Sequence, residues 1–265
     1  MVSELFCINI ACGSLLPCQR CIAKRRTTAQ AACSVVLRAW VCMVMIWAGQ
    51  RFCPSLASMA CDPDVIFIGG RLASVYDDLS QIAPVVFLST DTEKGVVKSV
   101  RDNATAIASL FVLEDKVDGL MDDFDARIEA LAKAANGSTA LVTLFTSGSV
   151  NVLGTDGRCS LISNEIGFTN IAADEVTATH GNEVSFETIV EKDPEYIFVL
   201  NRDAAIGSDG ADQAQKVVEN DLTRQTQAYR NGHIVYLSNP AVWYTVEGGI
   251  EALNIMLEDL EGVLL

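Results

Sequence analysis

The sequence predicts an α/β fold with a largely parallel sheet, and three observations carry that expectation. From about residue 61 onward, short apolar runs that read as buried strands alternate with stretches of helical period. The strand-like runs end in glycine or polar turns. A long stretch places Val117, Leu120, Met121, Phe124, Ile128, Leu131 and Ala135 on one helical face, and Asn136-Gly137 closes it.

The first run, Val65–Ile68, is apolar throughout and leads into Gly69-Gly70-Arg71, a buried strand followed by a glycine turn. Tyr76–Ile82 reads as a short helix and Pro84–Leu88 as a second buried strand. A helix from about Gly95 to Leu110 precedes the long amphipathic one. Further strands are expected at Thr139–Phe145, Ser149–Leu153, Tyr196–Leu200 and His233–Leu237. Between and after them come helices at about Ser160–Ile166, Phe186–Lys192, Ala211–Tyr229 and Glu247–Leu260. Sheets of this kind bind ligands outside the carboxyl ends of their strands. Arg71 and Arg202 fall just after expected strands, with Arg158 and Tyr244 on nearby loops.

A chain of 265 residues can form one large domain or two ordinary ones. Half the residues are hydrophobic, which argues against a disordered chain. The net charge of −15 argues against nucleic acid as a partner. It does not forbid an anionic ligand, because a local arginine cluster can set the field inside a cleft.

The charge is unevenly spread. Residues 1–61 hold six bases against one acid, a net +5, so the remainder carries −20. They also hold eight of the nine cysteines. The start lacks the basic region of a secretory signal, and the stretches before Cys12 and Cys18 are poor lipoprotein cleavage sites. Val35–Trp47 contains Arg38 and is too short for a membrane span, which needs roughly 20 apolar residues. Cys18 and Cys21 form a lone CxxC with no second ligand pair for zinc. A disulfide framework requires export. Residues 1–60 are therefore expected to be an atypical Cys-rich segment, in large part out of frame or mis-started, and poorly packed on the rest. Residues 61–103 can supply two strands at most, leaving one edge of their sheet open.

No phosphate motif survives inspection. Gly154-Thr155-Asp156-Gly157 lacks the lysine of a phosphate loop, and Ile68-Gly69-Gly70-Arg71 is not GxGxxG. Cys159 has no base beside it. With no nucleotide motif and no nucleophile–base pair, an oxidoreductase or hydrolase is disfavoured, and the chain is read as not an enzyme. What stands out instead is a set of five side chains: His180, Tyr244, Arg71, Arg158 and Arg202. Imidazole and phenolate ligate Fe(III), and guanidinium groups offset the oxygens of an anionic chelator. Each has an ordinary reading when taken alone. His180 can be structural, Tyr244 can pack beside Trp243, and each arginine can make a surface salt bridge of little worth. Asp203 can be the partner that holds Arg202. The signal is that all five sit at strand ends or adjoining loops of one α/β pattern.

From about Cys61 to Leu265 the chain resembles the substrate-binding proteins of ABC importers for iron–siderophores, in particular the catecholate group. The stretches that carry the resemblance are Pro63 to Arg71, Ser80 to Pro84, Thr179 to Phe186, Pro194 to Asp203 and Val242 to Tyr244. It implies two Rossmann-like lobes joined by a long helix, the class III periplasmic-binding-protein architecture, with a siderophore in the cleft. The corresponding segments are a partial N-terminal lobe over 61–103, a lobe-joining helical region over 104–136 and a C-terminal α/β lobe over 137–265, the first lobe being incomplete. It implies that Arg71, Arg158, Arg202 and Trp243 contact the ligand and that His180 and Tyr244 bind its iron. It implies a periplasmic or membrane-anchored extracellular monomer with permease subunits as partners, although no convincing signal stands in this chain. No intrinsic cofactor is expected, since Fe(III) arrives within the siderophore. A tetradentate bis-catecholate leaves two of six positions on the iron open, and His180 and Tyr244 would fill them. Alternatives are a haem or cobalamin carrier of the same fold, or a non-functional fragment.

Overall fold

The computed structural model describes residues 41–42, 63–91, 94–173, 181–245 and 248–265; of residues 41–42 and 70–71 it describes the backbone alone. The chain divides into two compact units between Ser89 and Thr90. The stretch expected to form the partial first lobe, 61–103, straddles this division.

In the first unit, β1 (Val41–Cys42), β2 (Val65–Ile68) and β3 (Val85–Phe87) form a parallel sheet in that order. Ile66, Phe67 and Ile68 are all buried, as an all-apolar central strand requires. Ile66 and Ile68 pack with Ala83 and with Leu79 of α1 (Tyr76–Ser80). At the carboxyl end of β2 the chain turns into a 3-10 helix, Gly70–Val75, that carries Arg71. Both strands expected of residues 61–103 are present. β1 comes from the Cys-rich segment and covers the edge of β2 opposite β3. The zinc, disulfide, signal and packing expectations for the rest of residues 1–60 lie outside the described residues.

The second unit opens with α2 (Val96–Ala108) and α3 (Glu114–Ala135). Asn136 ends α3 in the left-handed region at φ 48°, as the Asn-Gly pair predicts. Its sheet contains β4 (Thr139–Thr146), β5 (Ser149–Val152), β6 (Thr169–Asn170), β7 (Asn182–Glu183), β8 (Tyr196–Asn201) and β9 (Ile234–Tyr236). The order is β7-β5-β4-β8-β9, with β6 also paired to β4. β4 and β8 are central and parallel, with Leu141 opposite Ile197 and Val142 opposite Phe198. Side chains alternate across a strand. Val142, Leu144, Phe198 and Leu200 therefore join one core with α2, α3 and α10 (Ile250–Leu264). Leu141, Phe145, Ile197 and Val199 join another, with Ile189 of α5 (Phe186–Lys192).

Two sequence expectations need correction. The sheet is mixed, because β5 pairs antiparallel with β4 and β7 antiparallel with β5. The cause is Ser147-Gly148, both at positive φ (50° and 82°), the backbone of a two-residue hairpin turn. The helix expected over Ala211–Tyr229 is instead a 3-10 turn, α7 (Ala214–Val218), a second 3-10 turn and α8 (Gln227–Arg230), the chain between β8 and α7 also forming α6 (Arg202–Ala205). Polar side chains interrupt it. Asn220 Oδ1 accepts from the N–H groups of Leu222 (2.9 Å) and Thr223 (3.1 Å), and Thr226 caps Tyr229 N–H at 3.3 Å.

The first and last helices of the unit are tied together. α10 packs on α2 and α3. Arg127 of α3 makes a two-pronged pair with Glu261, at 2.6 and 2.9 Å, and donates to Asn254 at 2.7 Å. Near the start of α2, Glu165 Oε1 accepts from Val97 N–H at 3.3 Å, while Oε2 is buried with no hydrogen-bond partner among the described residues. α4 (Ser160–Asn164) immediately precedes Glu165. Burial raises the Glu165 pKa, and backbone N–H groups of Val97 and Val96 only partly oppose it. A raised carboxyl pKa means the native state holds the proton more readily than the unfolded chain. The stability from this group is therefore full below the ordinary carboxylate value and is lost as pH rises through the raised one. Glu165→Gln should remove that part of the slope. Denaturant midpoints measured from acid to neutral pH should fall less steeply in the variant, and equal slopes would reject the assignment.

Candidate functional site

Three of the expected site residues meet in the second unit. Arg202 follows β8 directly and opens α6. Asn201 fixes this corner: its Oδ1 caps Ala204 N–H at 3.0 Å and its Nδ2 donates to Ala211 O at 2.7 Å. Tyr244 lies on α9 (Pro240–Thr245), a helix where the sequence predicts a loop. Proline suits the first turn of a helix because its missing N–H has no partner there anyway. Arg158 comes from the loop after β5.

Tyr244 is the centre of the cluster and is 7 % exposed. Its hydroxyl accepts from Arg202 Nε at 2.9 Å. Its backbone oxygen accepts from Arg158 Nε at 3.1 Å. The two guanidinium carbons lie 4.6 Å (Arg158) and 5.7 Å (Arg202) from the ring centroid, both within cation–π range. Arg202 Nη1 also donates to Thr146 Oγ1, at the carboxyl end of β4, at 3.2 Å. Two guanidinium groups around one tyrosine, one of them bonded to its hydroxyl, put positive charge beside a hard oxygen atom.

The other expected residues are placed differently. Trp243 is fully buried, and its indole donates to Asp259 of α10 at 2.9 Å. Asp259 also receives the backbone and side-chain N–H groups of Asn239 at 3.1 and 2.7 Å. The expectation that Trp243 lines the ligand is therefore corrected: alternate faces of a short helix send Tyr244 to the arginines and Trp243 to the core, where it anchors α9. Arg71 stands at a strand end of the first unit. His180 lies outside the described residues.

Gly181, next to His180, is described. Its φ is +75°, and a Cβ there would come within 2.5 Å of Val152 O on β5. Only glycine fits, so the chain entering β7 is pinned to β5. Gly181→Ala should cost about 2–4 kcal/mol, from left-handed strain plus displaced backbone. Denaturant unfolding checks this, and a loss of only a few tenths would show that β5 yields.

A separate surface depression of about 620 Å³ lies between α2 and α4, lined in part by Lys94, Lys98, Arg101 and Glu165. Its cations already face Asp91 (3.3 Å), Asp102 (3.3 Å) and Asp125 (2.7 Å). It is an open surface notch that shares no lining residue with the arginine–tyrosine cluster.

The sequence of residues 59–241 matches the family model described as periplasmic binding protein. The chain belongs to the periplasmic binding protein family. Among similar proteins is the petrobactin-binding protein YclQ of Bacillus subtilis, 34% identical over 202 residues, which cover 76% of this chain and 62% of YclQ. The chain spans somewhat under two thirds of the length of the curated relatives it matches. The crystal structure of YclQ superposes with a TM-score of 0.73 at 32% identity, covering 79% of this chain and 73% of YclQ. The periplasmic catecholate-siderophore binding protein VctP of Vibrio cholerae gives 0.72 at 28% identity, with 78% and 74% covered. BauB, solved with two acinetobactin molecules and ferric iron, gives 0.68 at 25% identity, with 80% and 75% covered. The α/β architecture expected from the sequence is thus that of this family.

Proposed function

We propose that this periplasmic binding protein captures a ferric catecholate siderophore and delivers it to the permease of an ABC importer. The observation that carries the reading is Tyr244 held between Arg158 and Arg202 at the carboxyl end of the second-unit sheet. Catecholate oxygens are anionic, and charge-assisted hydrogen bonds from guanidinium suit them. Tyr244 and His180 supply the two positions that a tetradentate chelator leaves open on iron. Trp243 supports this site from behind. Relatives whose names specify petrobactin, anguibactin and catecholate siderophores support the ligand class. The same reading puts its working place in the periplasm or at the outer face of a membrane, and makes its working form a monomer.

Titration of the full chain with ferric bis-catecholate, followed by tryptophan quenching, tests the proposal. Saturable quenching at one ligand per chain is expected, because Trp243 adjoins Tyr244 in sequence. Binding of haem, seen as a shifted Soret band, or of a cobalamin, with no response to the ferric chelate, would overturn it.

A further inference from the structure

Asp203 is a carboxylate at 2 % exposure, beside the arginine proposed to hold the ligand. A buried carboxylate is costly unless its oxygens are satisfied. Oδ2 accepts Ser147 N–H, in the β4–β5 turn, at 2.8 Å. Oδ1 lies 3.8 Å from Arg202 Nη1, too far for a hydrogen bond. Thr146 joins the two: its hydroxyl makes a long contact to Asp203 Oδ1 at 3.5 Å and accepts from Arg202 Nη1 at 3.2 Å.

The direction of this relay follows from donor and acceptor roles. An ionised carboxylate can only accept, so the Thr146 hydroxyl proton points at Asp203. Its lone pairs then face Arg202, which can only donate. Arg202 Nε is taken by the Tyr244 hydroxyl and Nη1 by Thr146. Two fixed bonds on one planar guanidinium define its orientation. Among the described residues Nη2 has no acceptor, which leaves its two N–H groups for an incoming anion. Resting on the siderophore reading above, we infer that Thr146 and Asp203 are positioning residues: they hold Arg202 so that Nη2 meets the anionic oxygens of the ligand.

The test is a double-mutant cycle on the full chain, with ferric bis-catecholate as the probe. Thr146→Val keeps the shape of the side chain and removes the hydroxyl. It should weaken binding roughly 10-fold, the lower end for loss of an orienting partner behind a ligand contact. Thr146→Ser should bind as the unaltered protein does. In an Arg202→Ala background Thr146→Val should have no further effect, since it acts through that arginine. Asp203→Asn gives a second route, because the amide keeps an acceptor for Ser147 but frees the Thr146 hydroxyl to turn. It too should weaken binding only when Arg202 is present. Unchanged affinity in Thr146→Val, or equal losses with and without Arg202, overturns the positioning role while the siderophore reading stands. No binding by the unaltered protein removes that reading and this inference with it.

Discussion

Replacing Tyr244 by Phe should weaken a ferric tetradentate catecholate on the order of 100-fold, the upper end of what an orienting partner is worth and a floor for a direct ligand. Phenylalanine keeps the ring between Arg158 and Arg202, so the cation–π contacts survive. It deletes one oxygen, which is both the proposed iron ligand and the acceptor for Arg202 Nε. A hexadentate siderophore fills all six positions on the metal itself. It should lose only the few-fold that comes from a loosened Arg202. His180→Ala should show the same contrast. Competition titrations with both chelate types check this, and equal losses for the two would reject direct ligation.

Arg202→Ala should weaken the anionic ferric complex by about 1.5–3 kcal/mol, the range for hydrogen bonds to charged groups. Its guanidinium is partly screened, with the side chain 26% exposed, so the low half of that range is the better expectation. The substitution also frees the Tyr244 hydroxyl and leaves Thr146 with one partner fewer. A neutral ferric hydroxamate should suffer less, because it offers no charge to the arginine. Arg158→Ala should follow the same pattern. Equal effects on both chelates would assign these arginines to the fold alone.

The parts of the protein legible in the sequence are those whose physics is local. β4 and β8 are buried on both faces, so their apolar runs stand out. α3 carries an unbroken helical stripe and an Asn-Gly stop. The place of Arg202 at a strand end was readable because it follows such a run directly. The β4–β5 pairing was not, since Ser147 at positive φ is unusual for a non-glycine residue and the two strands looked like any others. α9 begins at a proline that also reads as a breaker, which hid the face change between Trp243 and Tyr244. The Thr146–Asp203 relay spans 57 positions and depends on a strand register that no local signal encodes.

The joining of α10 to α2 and α3 also determines when the second unit can come into being. α10 contributes Leu253, Met256, Leu257 and Leu260 to the main core, all at 0% exposure, from the last sixteen residues of the chain. Until those residues have left the ribosome, the apolar faces of α2 and α3 lack their cover. The β4–β5 hairpin can form early because its contacts are close in sequence, but docking of β8 and then α10 must close progressively longer loops. The main core of the second unit is therefore closed only once α10 has been made and has docked on α2 and α3.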